Sequence, residues 1–183
     1  MNIQITDLEG VYVIEPTQHE DHRGFFSETY NQSKMRPLQD IQFVQDNQSL
    51  SKEQYVFRGL HFQSPPFEQS KLIRVLHGSI LDCILDLRPA SPTYQKHLTI
   101  TLSKDNHQQV FIPKGCVHGF LTLEVNTEIL YKVDQYYSPE HDQGINIDDP
   151  NLPFEFPIDI SQFVRNPRDQ QLPRLHEIQN PFA

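Results

Sequence analysis

Tryptophan is absent from this sequence, and cysteine occurs only twice in 183 residues. The two cysteines, Cys83 and Cys116, are too few for a disulfide scaffold and are typical of a reducing, cytoplasmic setting. The first twenty residues have no basic start and no apolar stretch beyond residues 11–14. We therefore expect a cytoplasmic protein with neither a signal peptide nor a membrane partner.

Positive charge is also scarce, because 15 Lys and Arg face 24 Asp and Glu, for a net charge of -9. A chain of that sign does not bind nucleic acid or an anionic membrane through bulk charge. Any recognition of a phosphate group must therefore depend on a few local side chains.

Apolar mass is sufficient for a core, with 37% hydrophobic residues that include 12 Phe and 7 Tyr. The length predicts one domain over residues 1–183. The 14 prolines exceed the 7 glycines and favour turns over long helices. Seven of the prolines fall after Tyr137 and predict a packed, extended C-terminal tail with turns.

Strand patterns dominate the chain. Residues 98–102, 81–87 and 127–133 alternate apolar and other side chains, as half-buried strands do. Gly78 lies between two apolar runs and predicts a hairpin that pairs residues 71–76 with residues 80–87. This spacing is typical of an all-β sandwich or barrel.

Helical periodicity is weak almost everywhere. The one modest helical candidate covers residues 32–39, and Pro37 is expected to bend or end it.

Two segments resemble the signatures of the cupin superfamily. The run PKGCVH ends at His118, and the run GLHFQ contains His61 and is followed by Glu68. Gln63 stands where the second metal-binding histidine of a cupin usually stands, and Arg58 and Lys71 add positive charge to the same region. Because a cation repels a bound metal ion, we expect no metal.

A more specific resemblance extends over nearly the whole chain, in order. The segments DHRGFFSE (21–28), FVQDN (43–47), RGLHFQ (58–63) and KLIRV (71–75) resemble the dTDP-4-dehydrorhamnose 3,5-epimerase family. The likeness continues through segments 86–88, 91–93, 112–120, 131–132 and 136–139. A chance match of one motif is plausible, whereas a chance match of the whole series is not.

The resemblance implies a cupin-type antiparallel jelly-roll barrel with short peripheral helices and no cofactor. It also implies a homodimer that inverts two carbons of a dTDP-linked 4-keto-6-deoxyhexose, in the synthesis of dTDP-L-rhamnose for surface polysaccharide. Removal of a proton beside a ketone needs a base and a group that stabilises the enolate oxygen. The family match assigns the base to His61, its orientation to Asp169, the opposite proton donor to Tyr131 and the enolate contact to Lys71.

Substrate binding is a separate task. A diphosphate favours arginine forks, and Arg23 and Arg58 suit that role. The family match adds Tyr137 as the aromatic platform for the thymine ring. It also adds further pocket contacts, namely Glu28, Gln45, Asp46, Asn47, His118, Asp142 and Arg168.

Local departures from the family pattern affect three positions. Residues 166–169 read Asn-Pro-Arg-Asp where the family has Ser-x-Lys-Asp, and Asp142 replaces a glutamate.

Arg58 and His61 are three residues apart, so a regular strand places them on opposite faces, and a bulge at Gly59 is required to bring them together.

Plainer alternatives exist for these residues. Tyr131 alternates with Ile129 and Val133 and suits a core tyrosine, while Lys71 suits a solvated strand end. Three other functions also fit the motifs: an epimerase that acts only at C3, a metal-dependent cupin enzyme, and a sugar-nucleotide binding module without catalysis.

Overall fold

The computed structural model describes residues 1–183 and consists mainly of antiparallel strands. They are β1 (Asn2–Ile5), β2 (Tyr12–Glu15), β3 (Gln18–Asp21), β4 (Gly24–Ser27), β5 (Gln45–Ser51), β6 (Phe57–Gln63), β7 (Lys71–His77), β8 (Ser79–Asp86), β9 (His97–Ser103), β10 (Gln109–Ile112), β11 (Cys116–Thr122), β12 (Thr127–Val133) and β13 (Asp142–Gly144). Helix α1 (Pro167–Gln170) is accompanied by short 3-10 turns at Arg36–Leu38, Ile160–Gln162 and Leu175–Glu177. None of these helices is long and apolar enough to cross a membrane.

Two sheets face each other across one interior. The six-stranded sheet has the order β1-β2-β10-β7-β12-β5, and the five-stranded sheet has the order β13-β6-β11-β8-β9. Residues from both, such as Val75 and Ile129 from one and Ile84 and Phe120 from the other, form a single buried cluster. This arrangement of two antiparallel layers confirms the predicted jelly-roll barrel.

The predicted hairpin between residues 71–76 and 80–87 is wrong. Strand β7 lies between β10 and β12, whereas β8 lies between β11 and β9 in the other sheet. The turn at Gly78, where φ is +74, therefore carries the chain from one sheet to the opposite one. Both strands send alternate apolar residues into the same interior, so their alternation does not distinguish pairing from crossing.

The predicted helix over residues 32–39 shortens to a single 3-10 turn, Arg36–Leu38, with Pro37 in its first turn. A proline there lacks the N–H that a longer helix needs. Met35 and Leu38 are nevertheless fully buried, because they pack against Leu72 and Phe111 on the outer face of the six-stranded sheet.

The proline-rich tail covers the outer face of the five-stranded sheet. Phe163 is stacked on Phe57 of β6, with ring centroids 5.4 Å apart. Val164 forms a parallel bridge with Val56, just before β6 begins. The tail thus runs beside β6 and carries α1 to the barrel, as a packed extended segment rather than a separate layer.

The bulge expected in β6 is present. His61 pairs with His118 and Arg58 pairs with Phe120, so β6 uses three steps where β11 uses two. Gly59 has a φ of +124, and a Cβ atom there would lie 2.6 Å from the Cα of Gly119. The extra residue turns Arg58 and His61 toward one cavity, which both of them line.

The bulge gives a stability prediction with a matched control. We expect Gly59→Ala to lower the free energy of unfolding by roughly 3 kcal/mol or more, because the left-handed backbone and the clash with β11 act together. Gly24 in β4 has a similar φ of +127 but nothing within 4 Å of a Cβ, so Gly24→Ala should cost about 1 kcal/mol. Urea unfolding followed by circular dichroism measures both, and equal losses would contradict the steric argument.

Candidate active site

A cleft opens between the two sheets and has two lobes. The first lobe has a volume of about 200 Å³ and is lined by Ser49, Arg58, His61, Lys71, His118, Phe120, Ile129, Tyr131, Asn166 and Asp169. The second lobe has a volume of about 160 Å³ and is lined by Gln45, Asn47, His61, Phe62, Gln63, Gln69, Lys71, Tyr131, Tyr137 and Asp142. His61, Lys71 and Tyr131 belong to both lobes, so they lie at the junction.

His61 is held by a buried carboxylate from the tail. Its Nε2 lies 2.8 Å from Oδ1 of Asp169, a residue only 1% exposed. The backbone N–H of Gly59 donates to the other oxygen of Asp169, and Oδ1 of Asn166 accepts from the Asp169 N–H. Two neighbours thus fix the carboxylate, and Asn166 fixes the backbone that carries it.

These contacts determine the charge of Asp169 and the tautomer of His61. Burial raises the pKa of Asp169, but the hydrogen bonds from His61 and Gly59 lower it more, and the net pKa lies below its ordinary value. An ionised carboxylate only accepts hydrogen bonds, so Nε2 of His61 carries the proton. Nδ1 of the neutral ring therefore keeps its lone pair available as a base.

Lys71 and Tyr131 approach from the opposite sheet. Tyr131 on β12 pairs with Ile73 on β7, two residues beyond Lys71, so both side chains lie on the inward face of adjacent strands. Neither the Lys71 ammonium nor the Tyr131 hydroxyl makes a hydrogen bond within the protein. Both polar ends are thus free to contact a ligand in the cleft.

Burial shifts the pKa values of Lys71 and Tyr131 in opposite directions. It lowers the pKa of Lys71, while the carboxylates of Asp142 and Asp82 partly restore it. Burial also raises the pKa of Tyr131, so its phenol holds its proton at neutral pH.

His118 forms a second histidine–carboxylate pair beside the first. It pairs directly with His61 across β11 and β6, and its Nε2 lies 2.8 Å from Oδ2 of Asp82 on β8. Asp82 is fully buried, and its Oδ1 has no hydrogen-bond partner. Burial lowers the pKa of His118 more than Asp82 raises it, so the imidazole is neutral.

Arg58 is the only arginine that lines either lobe. Its Nε donates to the hydroxyl of Ser51 at 3.2 Å, and Nη2 donates to the carbonyl of Leu50 at 3.3 Å. These contacts orient the guanidinium from β5 and leave Nη1 without a partner in the protein.

Tyr137 borders the second lobe with a half-exposed ring. Its hydroxyl donates to Oδ2 of Asp142 at 2.9 Å, and Nη1 of Arg168 lies 2.8 Å from the same oxygen. Arg168 lines neither lobe itself and reaches the cleft only through Asp142.

Three predicted substrate contacts lie away from the cleft of the same chain. Asp46 pairs with Lys132 on the outward face of the six-stranded sheet. Glu28 pairs with Lys34 at 2.8 Å. Arg23 lies on the β3–β4 hairpin with 78% of its side chain exposed. Their substrate contacts stay predictions.

Sequence reasoning missed Asp82, Ser49 and Asn166. A signal for Asp82 was available, because an aspartate between Leu81 and Cys83 in an apolar strand requires a buried partner. Asn166 precedes a proline, which is the signal of a helix N-cap, and it does cap α1. Nothing in the sequence around Ser49 distinguishes it from an ordinary surface residue.

The four proposed catalytic residues, in contrast, come together although they are far apart in sequence. His61, Lys71, Tyr131 and Asp169 all line the first lobe. No group of three or more His, Cys, Asp and Glu side chains is arranged to hold a metal ion.

Comparison with known proteins supports the family resemblance seen in the sequence. The family model for dTDP-4-dehydrorhamnose 3,5-epimerase matches residues 5–177. The curated dTDP-4-dehydrorhamnose 3,5-epimerase of Escherichia coli is 42% identical over 180 residues, covering 97% of this chain and 96% of that protein. The resemblance noted in the sequence is therefore confirmed.

Solved structures agree over the whole fold. The Bacillus anthracis dTDP-4-dehydrorhamnose 3,5-epimerase, crystallised with TDP and PPi, superposes with a TM-score of 0.91 at 42% identity, covering 95% of this chain and 99% of that one. The Legionella pneumophila dTDP-6-deoxy-D-glucose-3,5-epimerase, in complex with dTDP-4-keto-L-rhamnose, gives a TM-score of 0.90 at 37% identity, covering 97% and 94%.

The buried neutral His118 predicts a pH-dependent stability. Its pKa in the folded chain lies below the ordinary value of 6.5. The contribution of the neutral imidazole to the free energy of unfolding is therefore complete above about pH 6.5 and declines as the pH falls below that value. We expect the free energy of unfolding to lose up to about 1.4 kcal/mol per pH unit from this group. His118→Asn should remove that part of the slope. Urea unfolding between about pH 7.5 and 5.5 measures it, and equal slopes in both proteins would contradict the interpretation.

Proposed function

This chain belongs to the dTDP-4-dehydrorhamnose 3,5-epimerase family, and we propose that His61, Lys71 and Tyr131 carry out its isomerase chemistry. The substrate is a dTDP-linked 4-keto-6-deoxyhexose, inverted at C3 and C5. One observation carries the assignment: His61 from one sheet faces Lys71 and Tyr131 from the other across a single cleft.

The first step removes a proton from a carbon beside the C4 ketone. Nδ1 of His61 takes this proton, the C–H bond breaks, and its electron pair moves onto the carbonyl oxygen to form an enolate. Asp169 stabilises the imidazolium that results, because its carboxylate is ionised and already bonded to Nε2. Acid–base placement of this kind contributes about 10²–10⁴-fold to rate.

Charge that develops on the ketone oxygen needs a positive partner in a dry environment. Lys71 supplies it, since its ammonium has no partner in the protein. Burial lowers the pKa of Lys71, and the Asp142 and Asp82 carboxylates oppose that shift. Loss of such a donor costs roughly 10²–10³-fold in turnover.

Inversion requires a proton to return on the opposite face of the sugar ring. Tyr131 is suited to deliver it, because the phenol stays protonated and lies on the sheet opposite His61. The enolate carbon takes the phenolic proton, the carbonyl re-forms, and solvent exchange resets both residues. A repeat of this sequence at the second carbon completes the reaction.

The rest of the cleft provides substrate contacts. Arg58 in the first lobe contacts the diphosphate. Arg168, which is paired with Asp142 at the edge of the cleft, contacts the diphosphate as well. Tyr137 offers an aromatic face for the thymine ring, and Gln45, Asn47, Asp142 and His118 complete the wall. We also place the reaction in the cytoplasm, where the free thiols Cys83 and Cys116 remain reduced.

The reaction is tested with dTDP-4-keto-6-deoxyglucose in D₂O. Wild-type protein is expected to introduce deuterium at C3 and C5, as read by proton NMR, because each inversion takes its new proton from solvent. Incorporation at C3 alone identifies the C3 epimerase instead, and binding without any incorporation identifies a non-catalytic module.

Three variants connect this result to the residues. His61→Gln and Tyr131→Phe should each lower kcat by about 10²–10⁴-fold with little change in Tm. Tyr136→Phe is the matched control, because that side chain is exposed and lines neither lobe. A parallel loss of kcat and Tm in the first two variants would favour a purely structural role.

The exposed hairpin supports a homodimer. Strands β3 and β4 form a separate two-stranded sheet, and Phe25 and Phe26 on it are 58% and 71% exposed. Arg23 beside them is exposed and lines neither lobe of the cleft that its predicted role requires. In the proposed dimer, the hairpin of one subunit reaches the cleft of the other and delivers Arg23 to the diphosphate.

Complementation tests this assembly. We expect Arg23→Ala to raise the KM for the dTDP sugar about tenfold or more, through loss of a charge-assisted hydrogen bond. A mixed dimer of Arg23→Ala and His61→Gln subunits, isolated with two affinity tags, should recover one intact cleft and wild-type KM. A monomer by light scattering, or a mixed dimer without recovery, would overturn the proposal.

A further inference from the structure

Three glutamines in the wall of the second lobe share one target. Gln45 on β5, Gln63 on β6 and Gln69 before β7 all line this lobe, and all three bond to the backbone of residues 135–138. We call these residues the glutamine cradle and the segment 135–138 the platform loop, because it carries Tyr137.

Gln63 has the most contacts in the cradle. Its Oε1 accepts from the N–H of Ser138 at 2.7 Å, and its Nε2 donates to the carbonyl of Tyr136 at 3.2 Å. Nε2 also donates to the carbonyl of Phe67 at 2.6 Å. The side chain is buried, so these three bonds occupy an amide that has little access to water.

The other two glutamines bond the same loop from either side. Nε2 of Gln69 donates to the carbonyl of Gln135 at 2.8 Å. Oε1 of Gln45 accepts from the N–H of Tyr137 at 3.2 Å, while its Nε2 donates to Asn47. The backbone of each of the four residues of the platform loop thus makes a hydrogen bond with the cradle: residues 135 and 136 accept one, and residues 137 and 138 donate one.

Support for the backbone of the platform loop from outside the loop and the cradle is confined to its last residue, because Ser138 bonds His141 through its carbonyl and its hydroxyl. The loop lies between β12 and β13, outside any strand, and no backbone–backbone hydrogen bond holds residues 135–137. The Tyr137 ring is half-exposed, and its hydroxyl contacts Asp142. The position of the Tyr137 ring therefore depends on the contact with Asp142 and on the backbone that the cradle fixes.

Amides suit this position because they donate and accept at once. A glutamate at position 63 could accept from Ser138 but would place its second oxygen against two carbonyls, Tyr136 and Phe67. A metal ligand there would likewise need the oxygen that Ser138 occupies. Gln63 therefore serves the loop rather than a bound ion.

We propose that Gln45, Gln63 and Gln69 are positioning residues that hold Tyr137 ready to stack on the nucleotide base. This inference rests on the proposed role of Tyr137 in the function above. A preorganised platform loses little conformational entropy on binding, so the cradle sets the affinity for the nucleotide rather than the rate of proton transfer.

The experiment measures the affinity of thymidine diphosphate by calorimetry, together with kcat and KM for the dTDP sugar. Gln63→Met keeps the side-chain length and removes all three bonds. We expect it to raise the Kd and the KM roughly fivefold to tenfold, while kcat at saturation stays within about twofold. Gln69→Met removes one bond and should weaken binding less, which also provides a second test if Gln63→Met folds poorly.

A double-mutant cycle separates positioning from general damage. In a Tyr137→Ala background, Gln63→Met should change the Kd by less than about twofold, because the platform that it positions is already absent. Gln143→Met is the matched control, since the side chain of that exposed glutamine on β13 hydrogen-bonds to Ser64 and not to the platform loop, so the variant should leave the Kd unchanged.

Each outcome has a distinct meaning. Equal weakening by Gln63→Met with and without the Tyr137 ring, or unchanged affinity in both cradle variants, overturns the positioning role. An unchanged Kd in Tyr137→Ala alone overturns the stacking role on which the inference rests, and does so without involving the cradle.

Discussion

The hydrogen bond between His61 and Asp169 joins the barrel to the C-terminal tail. His61 belongs to a barrel strand, whereas Asp169, 108 residues further along the chain, belongs to the tail that follows the last strand. The bond is short, buried on the carboxylate side and supported by the Gly59 N–H and by Asn166. Because it defines the tautomer of the imidazole, the base that we propose is available only when the tail is docked on the five-stranded sheet.

The same docking explains how the proline-rich tail contributes a residue to the proposed active site. Phe163 and Val164 attach it beside β6, and the turn at residues 166–169 follows directly. Burial of aromatic rings on the outside of the sheet thus supplies the free energy that holds a carboxylate under the cleft. The bulge at Gly59 contributes from the barrel side, since the residue that bends the strand also donates to Asp169.

Charge in the cleft is closely balanced, although the whole chain is strongly acidic. Lys71 and Arg58 lie among three carboxylates, Asp82, Asp142 and Asp169. Each carboxylate is engaged with a histidine, a tyrosine or an arginine, which leaves the two cations less committed and available for the enolate and diphosphate contacts that we propose. The first lobe contains Arg58 and Asp169, and the second contains Tyr137 and its glutamine cradle, while His61, Lys71 and Tyr131 border both.

The sequence by itself determined the class of fold, several strands and the residues of the proposed catalytic set. Strand β12 matches its predicted bounds because alternation is a local property that survives in any β-sheet. Motif order along the chain was sufficient to name His61, Lys71, Tyr131 and Asp169, and even the need for a bulge followed from the spacing of Arg58 and His61. Only the tertiary structure decided which strands pair, as the wrong hairpin at Gly78 shows, and which buried groups meet, as Asp82 and the three glutamines show. The reason is that pairing and burial depend on contacts between residues far apart in the chain, and no local pattern records the partner.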